Sequence, residues 1–147
     1  MSLSIQTECQ GVLSELLFLI DAEGKKDNRG IRELGVVAVN KSGKIVNSWQ
    51  MTDSVKIREF LNRSIVCIVW GSFDDVLATR HCRGSYRATL IDVSNGEKLD
   101  SVCSQLGVNP SKPRHCAIKD AVTLYKVCKA RNMFRRICDE QGKRVRR

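Results

Sequence analysis

The stretch Leu16-Leu17-Phe18-Leu19-Ile20-Asp21-Ala22-Glu23 decides how the rest of the chain must be arranged. Its consecutive large apolar residues show neither helical nor alternating period, so they read as a central strand buried on both faces. The run is too short for a membrane span and lacks the basic and small-residue flanks of a cleaved signal peptide. A soluble protein of a reducing intracellular compartment is therefore expected, cytoplasmic or nuclear, with no membrane partner. The two acids stand at the strand's C-terminal end. Residues two apart in a strand face the same way, so the Asp21 and Glu23 carboxylates can converge on one ion.

Working outward, residues 31–40 and 44–49 are β-rich runs joined by Lys41-Ser42-Gly43, which makes three antiparallel strands with the first. Residues 54–61 carry helical spacing, and 65–70 form another continuous apolar, β-branched run. Ser72 can cap a short helix containing Val76 and Leu77, residues 88–93 read as a fifth strand, and Leu99, Val102, Cys103 and Leu106 share a helical face that stops at Gly107. From His115 onward, Ile118, Ala121, Val122, Leu124, Tyr125 and Cys128 recur at helical spacing. This order predicts an α/β fold with a mixed sheet.

The chain has 147 residues, 42% of them hydrophobic, enough to close one core without metals or disulfides. Its seven cysteines are scattered with no C-x-x-C pair, against a disulfide framework or a zinc ribbon. A zinc-stabilised interaction domain built on His81 and Cys82 is a rival reading that lacks a closed ligand set. The 25 Lys and Arg against 16 Asp and Glu give a formal charge of +9, a bias toward polyanions. Much of that excess lies at the C-terminal end, where Lys129, Arg131, Arg135, Arg136, Lys143, Arg144, Arg146 and Arg147 stand against only Asp139 and Glu140. That end reads either as a solvated helix or as a non-specific phosphate grip.

Three ordered motifs resemble the DEDDh exonucleases. Phe18-Leu19-Ile20-Asp21-Ala22-Glu23, followed by Ile31-Arg32-Glu33-Leu34-Gly35, is similar to the family's D-x-E strand and its I-x-E-L strand. Phe73-Asp74-Asp75-Val76-Leu77 is similar to its F-D-x-x-x-L helix opening, with the Leu one position early. His115-Cys116-Ala117-Ile118-Lys119-Asp120-Ala121 matches the H-x-A-x-x-D-A signature. The resemblance implies a ribonuclease H-like mixed five-stranded sheet with helices on both faces. It implies an exonuclease domain over 1–131, followed by a basic tail or helix over 132–147.

It also implies 3′-to-5′ hydrolysis of RNA or DNA with a free 3′ end, with two Mg2+ or Mn2+ ions as cofactors. Asp21, Glu23, Asp74 and Asp120 would be the metal ligands and His115 the general base, while Lys25, Lys26 and Arg114 would contact nucleic acid. Hard oxygen ligands suit such ions, which neutralise the scissile phosphate, activate water and stabilise the departing 3′ oxygen. An imidazole is suited to take the proton of the attacking water. Where many members carry Thr or Phe after D-x-E, this chain has Gly24-Lys25-Lys26, which removes a substrate-wedge position. Asp74 follows Glu23 by only 51 positions, a shorter insert than the family's usual one. The alternative is a catalytically idle ribonuclease H-like module that binds RNA.

Overall fold

The computed structural model describes residues 16–145. Cys9 and half of the basic residues of the C-terminal end, those within 141–147, fall outside the residues whose side chains are described. Ten elements follow one another: β1 (Leu17–Gly24), β2 (Ile31–Val39), β3 (Ile45–Met51), α1 (Ser54–Leu61), β4 (Val66–Val69), α2 (Phe73–His81), β5 (Thr89–Asp92), α3 (Leu99–Leu106), α4 (Ala117–Ala130) and α5 (Met133–Val145). The sheet order is β3-β2-β1-β4-β5. β1, β2 and β3 pair antiparallel, whereas β4 and β5 join parallel to β1. This is the ribonuclease H-like mixed sheet that the motifs implied, with helices on both faces.

β1 is the middle strand because both of its faces are apolar. Phe18, Ile20 and Ala22 enter a core closed by α1 and α2, where Phe18, Trp49 and Phe60 meet edge to face at 5.6–6.5 Å. Leu17 and Leu19 enter the opposite core, beneath Ala121, Leu124 and Cys128 of α4. The basic end continues as α5, which buries Met133, Phe134 and Ile137 in that second core. Phe134 stacks on Tyr125, whose hydroxyl donates to the Gly43 carbonyl at 2.9 Å. No helix among the described residues is long and apolar enough to cross a membrane.

Local chemistry sets the helix ends. Asp53, a cap-type residue that the sequence reading passed over, caps α1 by accepting from the Val55 and Lys56 N–H groups. Ser72 precedes α2 but makes no side-chain capping bond, because its backbone is already helical there. Asp92 instead secures the turn ahead of α2, accepting from the Gly71 N–H at 2.8 Å. Gly107 ends α3 in the left-handed conformation, at φ 68°, as its residue type predicts.

The structure overturns the zinc reading. His81 is buried at the end of α2; its Nδ1 accepts from the Ile31 N–H at 3.0 Å and its Nε2 lies 2.9 Å from the Ser54 carbonyl oxygen. A neutral ring with its proton on Nε2 satisfies both contacts, leaving neither nitrogen for a metal. All six cysteines among the described residues are free thiols. His81 therefore ties α2 to the starts of β2 and α1. Replacing it by Leu orphans a buried N–H, a cost of about 1–3 kcal/mol. Thermal melting of His81→Leu should fall by several degrees, with partial recovery in His81→Asn, which keeps an acceptor; an unchanged melting temperature in His81→Leu would refute this role.

Candidate active site

The strand alternation of β1 carries Asp21 and Glu23 onto the α4 face, in line with Leu17 and Leu19. β1 pairs with β4 only through Leu17, Phe18 and Leu19. Beyond Leu19 that side of β1 has no strand neighbour, and the Ala22 N–H needs another acceptor. Asp74, on the first turn of α2, provides it at 2.8 Å. Helix α2 packs on the opposite core through Leu77 and Ala78, so its first turn reaches the strand end from the other side of the sheet.

The fourth carboxylate arrives on α4. Gly35 is the register partner of Asp21 on β2, and a Cβ there would lie 2.3 Å from the Ala117 carbonyl group. Only glycine allows α4 to rest so close to the sheet. Two side chains fix the helix in that seat: Glu33 accepts from the Ala117 N–H at 2.9 Å, and Gln50 accepts from the Ile118 N–H at 3.1 Å. Cys116, the residue at the helix cap, makes no such bond itself. Asp120 then faces Asp21 and Glu23 one turn into the helix. Ligand atoms of Glu23, His115 and Asp120 lie within 4.8 Å of one another.

His115 is not helical. It sits two residues ahead of α4 in the left-handed region, at φ 64°, exposed to solvent, with its N–H donating to Asp120 Oδ2 at 3.2 Å. The preceding loop is tethered: Arg114 Nε donates to Asp120 Oδ1 at 2.8 Å, and its guanidinium also pairs with Asp100. Arg114, expected to meet nucleic acid, thus holds a carboxylate of the site. Lys25 and Lys26 are exposed on the β1–β2 connection directly after Glu23. A Cβ at Gly24 would lie 2.7 Å from Asn28 Oδ1 and 3.2 Å from Leu77, so a side chain there requires the Asn28 amide to swing away and Leu77 to give.

Glu33 and Gln50 are the residues that sequence reasoning passed over. Glu33 belongs to the I-x-E-L strand, a motif that assigned it no role, and Gln50 carried no signal at all.

Burial first, then the fields of Asp74, Glu23 and Asp120, drive the Asp21 pKa far above the carboxylate range. Burial also pushes Asp74 up to about 7, against the lowering effect of the Ala22 N–H, and raises Glu23. No donor reaches the buried Asp21 Oδ2, and the one side chain that hydrogen-bonds Asp21 is Glu23, another carboxylate, which requires a proton held between them. An orphaned carboxylate oxygen surrounded by three further carboxylates is a set of hard donors short of positive charge, and it fits a divalent cation such as Mg2+ or Mn2+.

No family model and no curated protein matches this sequence. Solved structures do match. One, described as "3'-end specific recognition of histone mRNA stem-loop by 3'-exonuclease", superposes with a TM-score of 0.59 over 84% of this chain, at 14% sequence identity. This chain shares that protein's fold. It spans 65% of the length of that structure.

The geometry can be tested through stability. Asp21 and Asp74 hold protons more tightly folded than unfolded, so the stability conferred by protonation is complete near pH 4 and lost as pH rises through about 7 and beyond. The slope is on the order of 1 kcal/mol per pH unit for each such group. The metal-free chain should melt lower at pH 8 than at pH 5, and Mn2+ should raise melting more at pH 8; a flat profile insensitive to Mn2+ would contradict the cluster. Gly35→Ala forces α4 off the sheet, with an overpacking cost of about 1–3 kcal/mol. Its Mn2+ response should weaken even in samples that remain folded by circular dichroism, and a wild-type response would show that α4 is not seated as described.

Proposed function

We propose that this chain is a metal-dependent 3′-to-5′ exonuclease acting on RNA or DNA with a free 3′ end. The observation that carries the reading is the buried oxygen of Asp21, reached by no donor, among Glu23, Asp74 and Asp120, four carboxylates delivered from β1, α2 and α4. Gathering like charges in a desolvated site has no structural benefit of its own, and such perturbed groups cluster where chemistry is done. Asp21, Glu23 and Asp120 would hold one Mg2+ or Mn2+, with Asp21 shared and Asp74 serving a second. When bound, the ions supply charge neutralisation of the scissile phosphate and an activated water.

The chain's own groups supply the rest. Asp74 keeps the end of β1 in register through the Ala22 N–H, which fixes where Asp21 points. Glu33 and Gln50 set the height of α4, and with it Asp120. His115, exposed and beside Glu23, is free to take a proton from an attacking water on the solvent side and to release it again. Its backbone bond to Asp120 holds the residue at the mouth of the site. Lys25 and Lys26 follow Glu23 closely and offer charge to phosphates flanking the scissile one.

One observation favours the idle, RNA-binding reading. Arg114 and the His115 N–H each occupy an oxygen of Asp120, so this carboxylate is satisfied without an ion. The two readings separate in one experiment. Oligonucleotides labelled at the 5′ end are incubated with Mn2+ or Mg2+, with and without chelator. The exonuclease shortens them one nucleotide at a time in a chelator-sensitive way. Asp21→Asn, which keeps the shape and removes the charge, should stop turnover. His115→Ala should lose about a hundredfold to ten-thousandfold in rate while keeping its Mn2+ response in melting. An inert wild-type protein, or internal cuts only, sides with the idle module or with another nuclease.

A further inference from the structure

Three segments far apart in sequence, 25–30, 54–63 and 80–87, contain nine Lys and Arg against two acids, Asp27 and Glu59. Outside them, and ahead of Lys129, acids outnumber bases. The fold brings the three together around His81. Ile31 and Ser54 bind the two nitrogens of its ring, Arg58 Nε donates to its carbonyl at 3.4 Å, and Arg80 donates to the Asn28 carbonyl at 2.8 Å. The Arg87 N–H donates to the Leu61 carbonyl at 3.2 Å, closing the third segment onto the second. The mild basicity of the folded body is therefore an average over one basic region, where these segments adjoin, and an acidic remainder.

These charges are not neutralised within the described residues. The ion pairs found there are made by Arg32, Arg114 and Arg131, and none uses a basic residue of the three segments. Lys25, Lys26, Arg29, Arg80 and Arg83 are exposed. Arg80 is oriented by a backbone carbonyl rather than a carboxylate, so it keeps its full charge and most of its donors for an anion. The face also has a direction. Lys25 and Lys26 stand just beyond Glu23, and Arg80 lies six residues along α2 from Asp74, about 9 Å at the helical rise. Positive charge thus leads away from the carboxylates along α2 and the β1–β2 connection.

We infer that this face, carried by Arg29, Arg58, Arg80 and Arg83 together with Lys25 and Lys26, is a track for the phosphodiester backbone of the strand whose 3′ end reaches the carboxylates. It deepens the exonuclease reading and rests on it for direction. Exposed cations spaced along a surface bind phosphates without reading bases, so the track accepts any sequence and its binding is salt-dependent. It adds Arg29, Arg58, Arg80 and Arg83 to the nucleic-acid-binding residues, and it leaves Arg114 with the site carboxylates.

The test measures binding of a labelled single-stranded oligonucleotide by fluorescence anisotropy across a potassium chloride series, in excess chelator so that no cutting occurs. Arg29→Gln/Arg80→Gln/Arg83→Gln should weaken binding roughly tenfold or more and flatten the log–log salt slope by about 0.7 for each phosphate the protein no longer neutralises. Should that variant melt early, Arg29→Gln/Arg83→Gln serves instead, since both side chains are exposed and Arg29 is held through its backbone N–H alone. The control, Lys41→Gln/Lys44→Gln, removes charge from the β2–β3 turn at the opposite end of β2 from Glu33, and it should leave the slope in place. Wild-type affinity and slope in the arginine variants, or an equal loss in the control, overturns the track. Because binding is read in chelator, a protein that binds through this face yet fails to cut would overturn the exonuclease reading alone.

Discussion

The desolvation of Asp21 among like charges is the constraint on which the rest of the structure turns. Left alone, acids at the end of an apolar strand would splay into solvent. Here β1 cannot relax, because Phe18 and Ile20 are locked into one core and Leu17 and Leu19 into the other. Two-sided burial is worth roughly 1.5–3 kcal/mol for each large apolar side chain, more than enough in sum to hold the strand end against repulsion. The apolar run therefore does more than nucleate a sheet. It supplies the rigidity that keeps an unfavourable electrostatic arrangement in place.

The remaining carboxylates are delivered by different devices. Asp74 enters through a vacancy in the hydrogen-bond ladder, where β1 outruns its partner β4 and the Ala22 N–H is left over. Asp120 enters through a steric permission at Gly35, reinforced by Glu33 and Gln50, which satisfy N–H groups that a helix start cannot satisfy itself. The same Glu33 carboxylate that seats α4 also adds to the negative field at Glu23. Structural and electrostatic roles are thus shared by neighbouring side chains, and no single carboxylate can be moved without disturbing an element.

Much of this was legible in the sequence because it rested on short-range pattern. The apolar run fixed β1, the D-x-E spacing placed Asp21 and Glu23 on one face, and helical periodicity gave α1, α3 and α4 with ends close to those observed. What escaped notice depended on contacts between distant segments. Ser72 looked like a cap by residue type, yet its backbone conformation removes that role. His81 beside Cys82 suggested a metal until the fold placed Ile31 and Ser54 against its ring. Arg114 was expected to contact nucleic acid; only packing against Asp100 and Asp120 reveals its role as an internal partner. The basic face escaped for the same reason, being divided among three segments whose separate charges look ordinary.

The two basic surfaces of the chain also differ in reach. α4 begins beside the carboxylates and runs fourteen residues to Ala130, about 21 Å at the helical rise. α5 starts beyond that point, with Phe134 packed near Gly43 in the β2–β3 turn, at the sheet end opposite Asp21. A phosphate bound at the start of α5 is therefore separated from the carboxylates by roughly six nucleotides at about 3.4 Å per residue of a stacked strand. The face around His81 begins at the residue after Gly24 and has no such gap. Under the proposed activity, a very short oligonucleotide reaching the carboxylates would engage the face around His81 but not α5, so charge near His81 would contribute more to its affinity than the conspicuous basic end of the sequence.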